Sequence, residues 1–166
     1  MNTIRILGAL GVAAMLAGCA GSVSDPVAVQ SMSSDMKASL KIADISADAE
    51  PGVPMSDGDF GLISQKVHAY IDAEKPGVIA EGSAAGQHMK IHFTRFDRGS
   101  AFARAMLIGM GQIRIEATVE MSDAGGARTG EYKVAKDFAL GGIVGATTTV
   151  EDVEDGFAKS VAQVVK

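Results

Sequence analysis

The chain has one cysteine, Cys19, among 166 residues, so no disulfide can close within it and the fold must stand on its apolar core. Tryptophan is absent and the aromatics are two Tyr and six Phe, which offers little for stacking bases or sugar rings. No run of Lys or Arg occurs, and acidic residues outnumber basic ones by 20 to 15. A chain of that sign is repelled by phosphate backbones, which sets nucleic acid aside as a partner and disfavours anionic lipid head groups in the same way. Long apolar runs are also missing after the first residues. The one run, Ile6 to Leu16, is broken by Gly8 and Gly11 and meets polar sequence soon after Cys19. A spanning helix needs about 20 apolar residues, so this segment is too short for a permanent span.

What is present at the amino end reads as an export signal, with Arg5 as the positive n-region and Ile6 to Leu16 as its apolar core. Leu16-Ala17-Gly18-Cys19 resembles the bacterial lipobox. That resemblance implies cleavage before Cys19 and a diacylglycerol on its thiol; the alternative is a free cysteine behind an ordinary signal sequence. Several acyl chains, palmitate among them, on one cysteine exceed the marginal hold of a single chain, at about 0.8 kcal/mol per buried CH₂. Ala20 stands where lipoproteins retained at the inner membrane of Gram-negative bacteria typically have Asp. The expected location is therefore the outer membrane, with the domain facing the periplasm and exposure at the cell surface left open. Removal of residues 1–18 takes Arg5 alone from the charged set, so the formal charge moves from −5 to −6.

The chain divides into a signal peptide at 1–18, a lipidated cysteine and flexible tether at 19–36, and a single domain at 37–166. Ser22, Ser24, Asp25, Pro26, Ser31, Ser33 and Ser34 carry no period, and some 17 such residues span about 20 to 25 Å as a flexible coil. Leu40, Ile42 and Ile45 predict a short strand, stopped by Pro51, Gly52 and Pro54. Phe60, Ile63, Val67, Tyr70 and Ile71 then share a helical face that Asp57 and Asp59 open and Pro76-Gly77 closes. Period two returns at Met89, Ile91 and Phe93, and again without a break at Ile113, Ile115, Ala117, Val119 and Met121. Gly125-Gly126 supplies positive φ for a hairpin to a strand with Tyr132, Val134 and Phe138. Thr149 caps a last helix whose Val150, Val153, Phe157, Val161 and Val164 share a face. One-sided strands between helices predict an α+β fold: an antiparallel sheet of about four or five strands with two helices packed on one face.

Residues able to carry chemistry are scattered. His88 and His92 share a strand face with Glu116 nearby, yet four residues along a strand is about 13 Å, too far for one metal ion. His68 sits beside the apolar face of the first long helix. Met106 and Met110 suit Cu(I) by softness but are too few for a selective site. Glu151, Asp152, Glu154 and Asp155 lie where a helix start favours negative charge. Gly141-Gly142-x-x-Gly145 lacks the lysine of a phosphate loop, and Gly109-x-Gly111 precedes a strand where a dinucleotide fingerprint would follow one. No Gly-x-Ser-x-Gly elbow occurs. The reading is a non-enzyme with no catalytic residue, no metal site and no cofactor. Recognition is expected instead on Asp97 to Gly111, a stretch joining two strands, with Arg98 and above all Arg104 placed to bind a partner carboxylate.

Gly99-Ser100-Ala101-Phe102-Ala103-Arg104, then Gly109-Met110-Gly111, the alternating strand, an acid-and-glycine turn and Gly141-Gly142 before the last helix form a series. It resembles the bacterial envelope lipoproteins grouped as domain of unknown function 4410, from about Leu40 to the end. Members often show an acidic residue followed by Thr-Gly at the hairpin, where this chain has Asp123-Ala124-Gly125-Gly126. The resemblance implies location and fold, not an activity. The expectation is a membrane-anchored module that binds or assembles with an envelope protein. A periplasmic lipoprotein binding copper or zinc is the alternative.

Overall fold

The computed structural model describes residues 23–106, 111–139 and 146–166. In chain order they form β1 (Val27–Gln30), α1 (Ser34–Ala38), β2 (Ile42–Ala49), α2 (Asp57–Glu74) and β3 (Gln87–Asp97). There follow α3 (Ala101–Met106), β4 (Ile113–Ser122), β5 (Arg128–Phe138), α4 (Val150–Ala162) and a final 3₁₀ turn at Gln163–Val165. The strands make one open, mixed sheet in the order β1-β5-β4-β3-β2. The fold is α+β, with α2 and α4 on one face.

Each long helix starts where a side chain satisfies its free N–H groups. Ser56 accepts from Asp59 N–H while Asp59 takes the Ser56 N–H, and Thr149 and Asp152 repeat this box at α4. From α2, Ile63, Val67 and Ile71 are buried; from α4, Val153, Phe157, Ala158 and Val161. They meet the alternate residues of the sheet: Met89, Ile91 and Phe93 of β3 and Ile113, Ile115, Val119 and Met121 of β4. Phe93 holds the two helices together, its ring centroid 6.3 Å from Phe60 of α2 and 5.5 Å from Phe157 of α4.

Two features differ from the sequence expectation. The sheet is not wholly antiparallel: β2 runs parallel to β3, in register from Asp44↔His88 to Ala49↔Phe93. The 18-residue helix α2 between them returns the chain to the end from which β2 began, which a hairpin cannot do. Second, Val27–Gln30, placed in the tether by its lack of period, pairs antiparallel with β5. Nearby, Met32 is buried and its N–H donates to the Tyr132 hydroxyl at 2.9 Å. All four β1 residues are exposed, so this strand rests on backbone bonds and leaves no hydrophobic period to read.

The hairpin forms at the expected place. The carboxylate of Asp123 accepts from the N–H groups of Gly125 and Ala127, both at 2.9 Å, and Gly126 takes φ +82°.

Candidate functional site

Near the start of the segment expected to bind a partner, Asp97 to Gly111, stands a glycine whose place opposes any side chain. Gly99 has φ +63°, and a Cβ there would collide with the carbonyl oxygens of Gly111 and Gln112. Ser100 N–H donates to Gly111 O at 3.2 Å, which ties the two ends of the β3–β4 connection together. Arg98 beside it is engaged within the chain. Its guanidinium reaches Asp59 Oδ1 at 2.6 Å and lies 4.9 Å from the Phe96 ring centre, with half of the side chain exposed. The Ser56 N–H and then Arg98 hold the Asp59 carboxyl below the usual carboxylate range. Arg104 belongs to α3, but its side chain lies outside the described residues, as do Gly109, Met110, Gly141, Gly142, Gly145 and Cys19.

Beneath Arg98 is a shallow cavity of 320 Å³ between the starts of α2 and α4, lined by Asp59, Leu62, Thr149, Val150, Glu151 and Glu154. Of the acidic run, Asp152 serves the capping box and Glu154 turns inward. Lys66 of α2 lies 3.4 Å from Glu154 and 2.8 Å from Asp155. Burial pushes the Glu154 carboxyl up, and the Lys66 charge offsets only part of that.

The helix-free face of the sheet is laced with ion pairs. His88 pairs with Asp44, and Asp48 holds His92 at 2.7 Å and Lys90 at 2.8 Å. Burial raises Asp48, and hydrogen bonds from Lys90 and His92 more than reverse this, leaving it lowered. His88 and His92 thus each have their own aspartate on β2. Among the described residues no three His, Cys, Asp or Glu side chains come together as metal ligands.

The least occupied polar surface is the outer edge of β2. Glu50 N–H donates to Phe93 O at 2.9 Å, which fixes the alternation of the ladder beyond the irregularity between Ile42 and Asp44: Asp44, Ser46 and Asp48 bond to β3, and Ile45, Ala47 and Ala49 turn their N–H and C=O groups away. Only the first residues of β2 are covered on that side, by Val78, Ala80 and Gly82. The other three find no backbone partner among the described residues. A groove of 630 Å³ runs beside this edge, lined by Ala43, Asp44, Ile45, Ser64, Gln65, His68 and Glu81. His68, expected as a boundary residue, stands in it 3.4 Å from Glu81. Reading the residues one at a time missed this site, although a strand, a long helix and a strand in succession is the pattern of a parallel pair.

A family model, the Domain of unknown function (DUF4410), matches residues 29–142. The chain belongs to this family. Its DUF4410 domain spans the end of β1 and all of β2 to β5, and α4 closes the core beyond the match. No curated protein matches the sequence. Among solved structures, it is similar to a point variant of PelC from Paraburkholderia phytofirmans, crystallised as a dodecamer. The TM-score is 0.54 at 12% identity, over 87% of this chain and 96% of that one. A second PelC dodecamer from the same organism gives 0.52 at 14% identity, over 75% and 86%. At such identities the likeness is one of fold. Among the described residues no helix is long and apolar enough to cross a membrane.

Proposed function

We propose that this protein is a lipid-anchored docking module of the bacterial envelope, without catalytic activity, whose β2 edge receives an extended segment of another envelope protein. The observation that carries the reading is the row of unpaired backbone groups at Ile45, Ala47 and Ala49 beside the His68 and Glu81 groove. An open edge is a template for an added strand, with affinity from main-chain bonds and specificity from alternate side-chain pockets. Asp44 and Glu81 line the groove, and Glu81 is largely exposed, so the fitting segment carries a basic side chain facing the groove. That PelC, with the same fold, forms dodecamers supports a role in assembly. The lipobox at Leu16 to Cys19 and Ala20 after it support anchoring at the outer membrane, with the domain in the periplasm.

The test is a photo-crosslinking residue at Gln65, exposed to ultraviolet light in living cells. The reading predicts an adduct with one defined envelope protein that disappears when Ala47→Pro removes an outward N–H without touching the ladder to β3. No adduct, or an adduct indifferent to that change, would contradict it. An adduct made only of two copies of this chain would replace the hetero-partner with self-assembly.

A further inference from the structure

We propose that the β1 edge is a second, protein-borne membrane contact: Val23, Val27 and Val29 enter the head-group layer of the bilayer and Lys133 meets lipid phosphate. This rests on the reading of Cys19 as the lipidated residue. The first argument is the length of chain between the anchor and the fold. Ser24 N–H donates to Ser160 Oγ of α4 at 2.8 Å, so the chain is fastened to the domain long before residue 36. From Cys19 to Ser24 the backbone reaches about 18 Å at most, even fully extended. The lipid glycerol sits at the head-group level, which keeps Ser24 within that distance of it, and β1 opens three residues later. The β2 edge lies four strand spacings farther, about 19 Å, and so points away from the bilayer.

The second argument is what the β1 edge displays. Val27 and Val29 of β1, and Val23 in the segment before it, are 66, 56 and 48% exposed, half of the large exposed hydrophobic residues among those described. Edge strands in water are commonly guarded by Lys, Pro or an inward charge, whereas this one presents valines. Val29 is the extra residue of a bulge between the pairs Ala28↔Tyr132 and Gln30↔Glu131, so the ladder makes no use of it. Opposite Val27 stands Lys133, exposed and without an ion-pair partner among the described residues, on a face where Arg95, Arg128, Asp44 and Asp48 are all paired. Its aliphatic stem can lie along apolar surface while the ammonium reaches a phosphate. The attraction is chiefly apolar, in keeping with the negative net charge of the chain.

The experiment uses the full chain, expressed and lipidated in cells, purified in detergent and reconstituted into phosphatidylcholine vesicles. With Cys19 acylated, an introduced cysteine is the sole thiol. Val29→Cys, and separately Ser46→Cys on β2, are labelled with an environment-sensitive fluorophore and challenged with lipids brominated high on the acyl chain. The expected result is quenching at least threefold stronger at residue 29 than at residue 46, with a blue-shifted emission at 29 alone. Equal quenching at both positions, or none at 29 while the chain floats with the vesicles, overturns the proposal. Intact mass separates the two readings: a chain without acyl mass fails the anchoring reading and takes this inference with it. Lys133→Glu should lower the quenching at 29 while leaving flotation unchanged, and no effect would remove Lys133 from the contact.

Discussion

Replacing Lys66 by Met tests whether the charge buried between α2 and α4 is held by its partner. The side chains of Glu154 and Lys66 are 4 and 18% exposed and their charged atoms are 3.4 Å apart. Removing one member of a buried pair leaves the other uncompensated, at about 3 to 5 kcal/mol; the partial exposure of Lys66 reduces this to about 2 to 3 kcal/mol. With a urea slope of about 1 to 3 kcal/mol per M, the midpoint at pH 7 should fall by about 0.7 to 3 M. The pH dependence has a definite sign. Burial places the Glu154 pKa above its unfolded value of 4.5, and loss of Lys66 raises it further. The protonated form then favours folding, so the penalty is full at neutral pH, shrinks as pH falls through the folded pKa and is gone below 4.5. Urea unfolding followed by circular dichroism should show a larger deficit at pH 7 than at pH 5, and adding Glu154→Gln should restore most of it at pH 7. A deficit equal at both pH values, or none, would refute the reasoning.

Gly99→Ala should lower stability by about 2 kcal/mol or more, because positive φ and two carbonyl oxygens oppose the new methyl; thermal unfolding checks it, and an unchanged midpoint would show that the β3–β4 connection rearranges freely. A chain beginning at Asp35 loses β1 and the buried Met32, and should be less stable than one beginning at Ala20 by about 2 kcal/mol or more, measured by urea unfolding. Equal stability would mean that β1 adds nothing to the fold. Cys19→Ser should leave an unlipidated, larger precursor whose processing no longer responds to globomycin, read on a gel and by mass; a normal-sized lipidated product would sink the anchoring reading.

What could be read from the sequence follows from how each element is held. β4 was plain because Ile113 to Met121 bury one face and wet the other, and α2 and α4 because a capping box and an apolar stripe coincide. β1 was hidden since its four exposed residues bond through backbone alone. The parallel pairing of β2 was hidden because period two marks a strand's faces and says nothing of its direction. Arg98 was legible as a cation near a turn, but its partner Asp59 lies 39 residues earlier, and only the fold brings α2 to it. The open edge of β2 is a property of the ladder, carried by N–H and C=O groups that every residue has, so no side-chain pattern could announce it.

The most direct test of the docking reading is residue-resolved hydrogen exchange of the β2 amides, free and in the crosslinked complex. In the free protein the amides of Ile45, Ala47 and Ala49 should exchange fast, while those of Ser46 and Asp48, which face β3, exchange slowly. In the complex all five should be slow. Uniform protection in the free protein, or an alternation that persists unchanged in the complex, would show that the β2 edge is not where the partner binds.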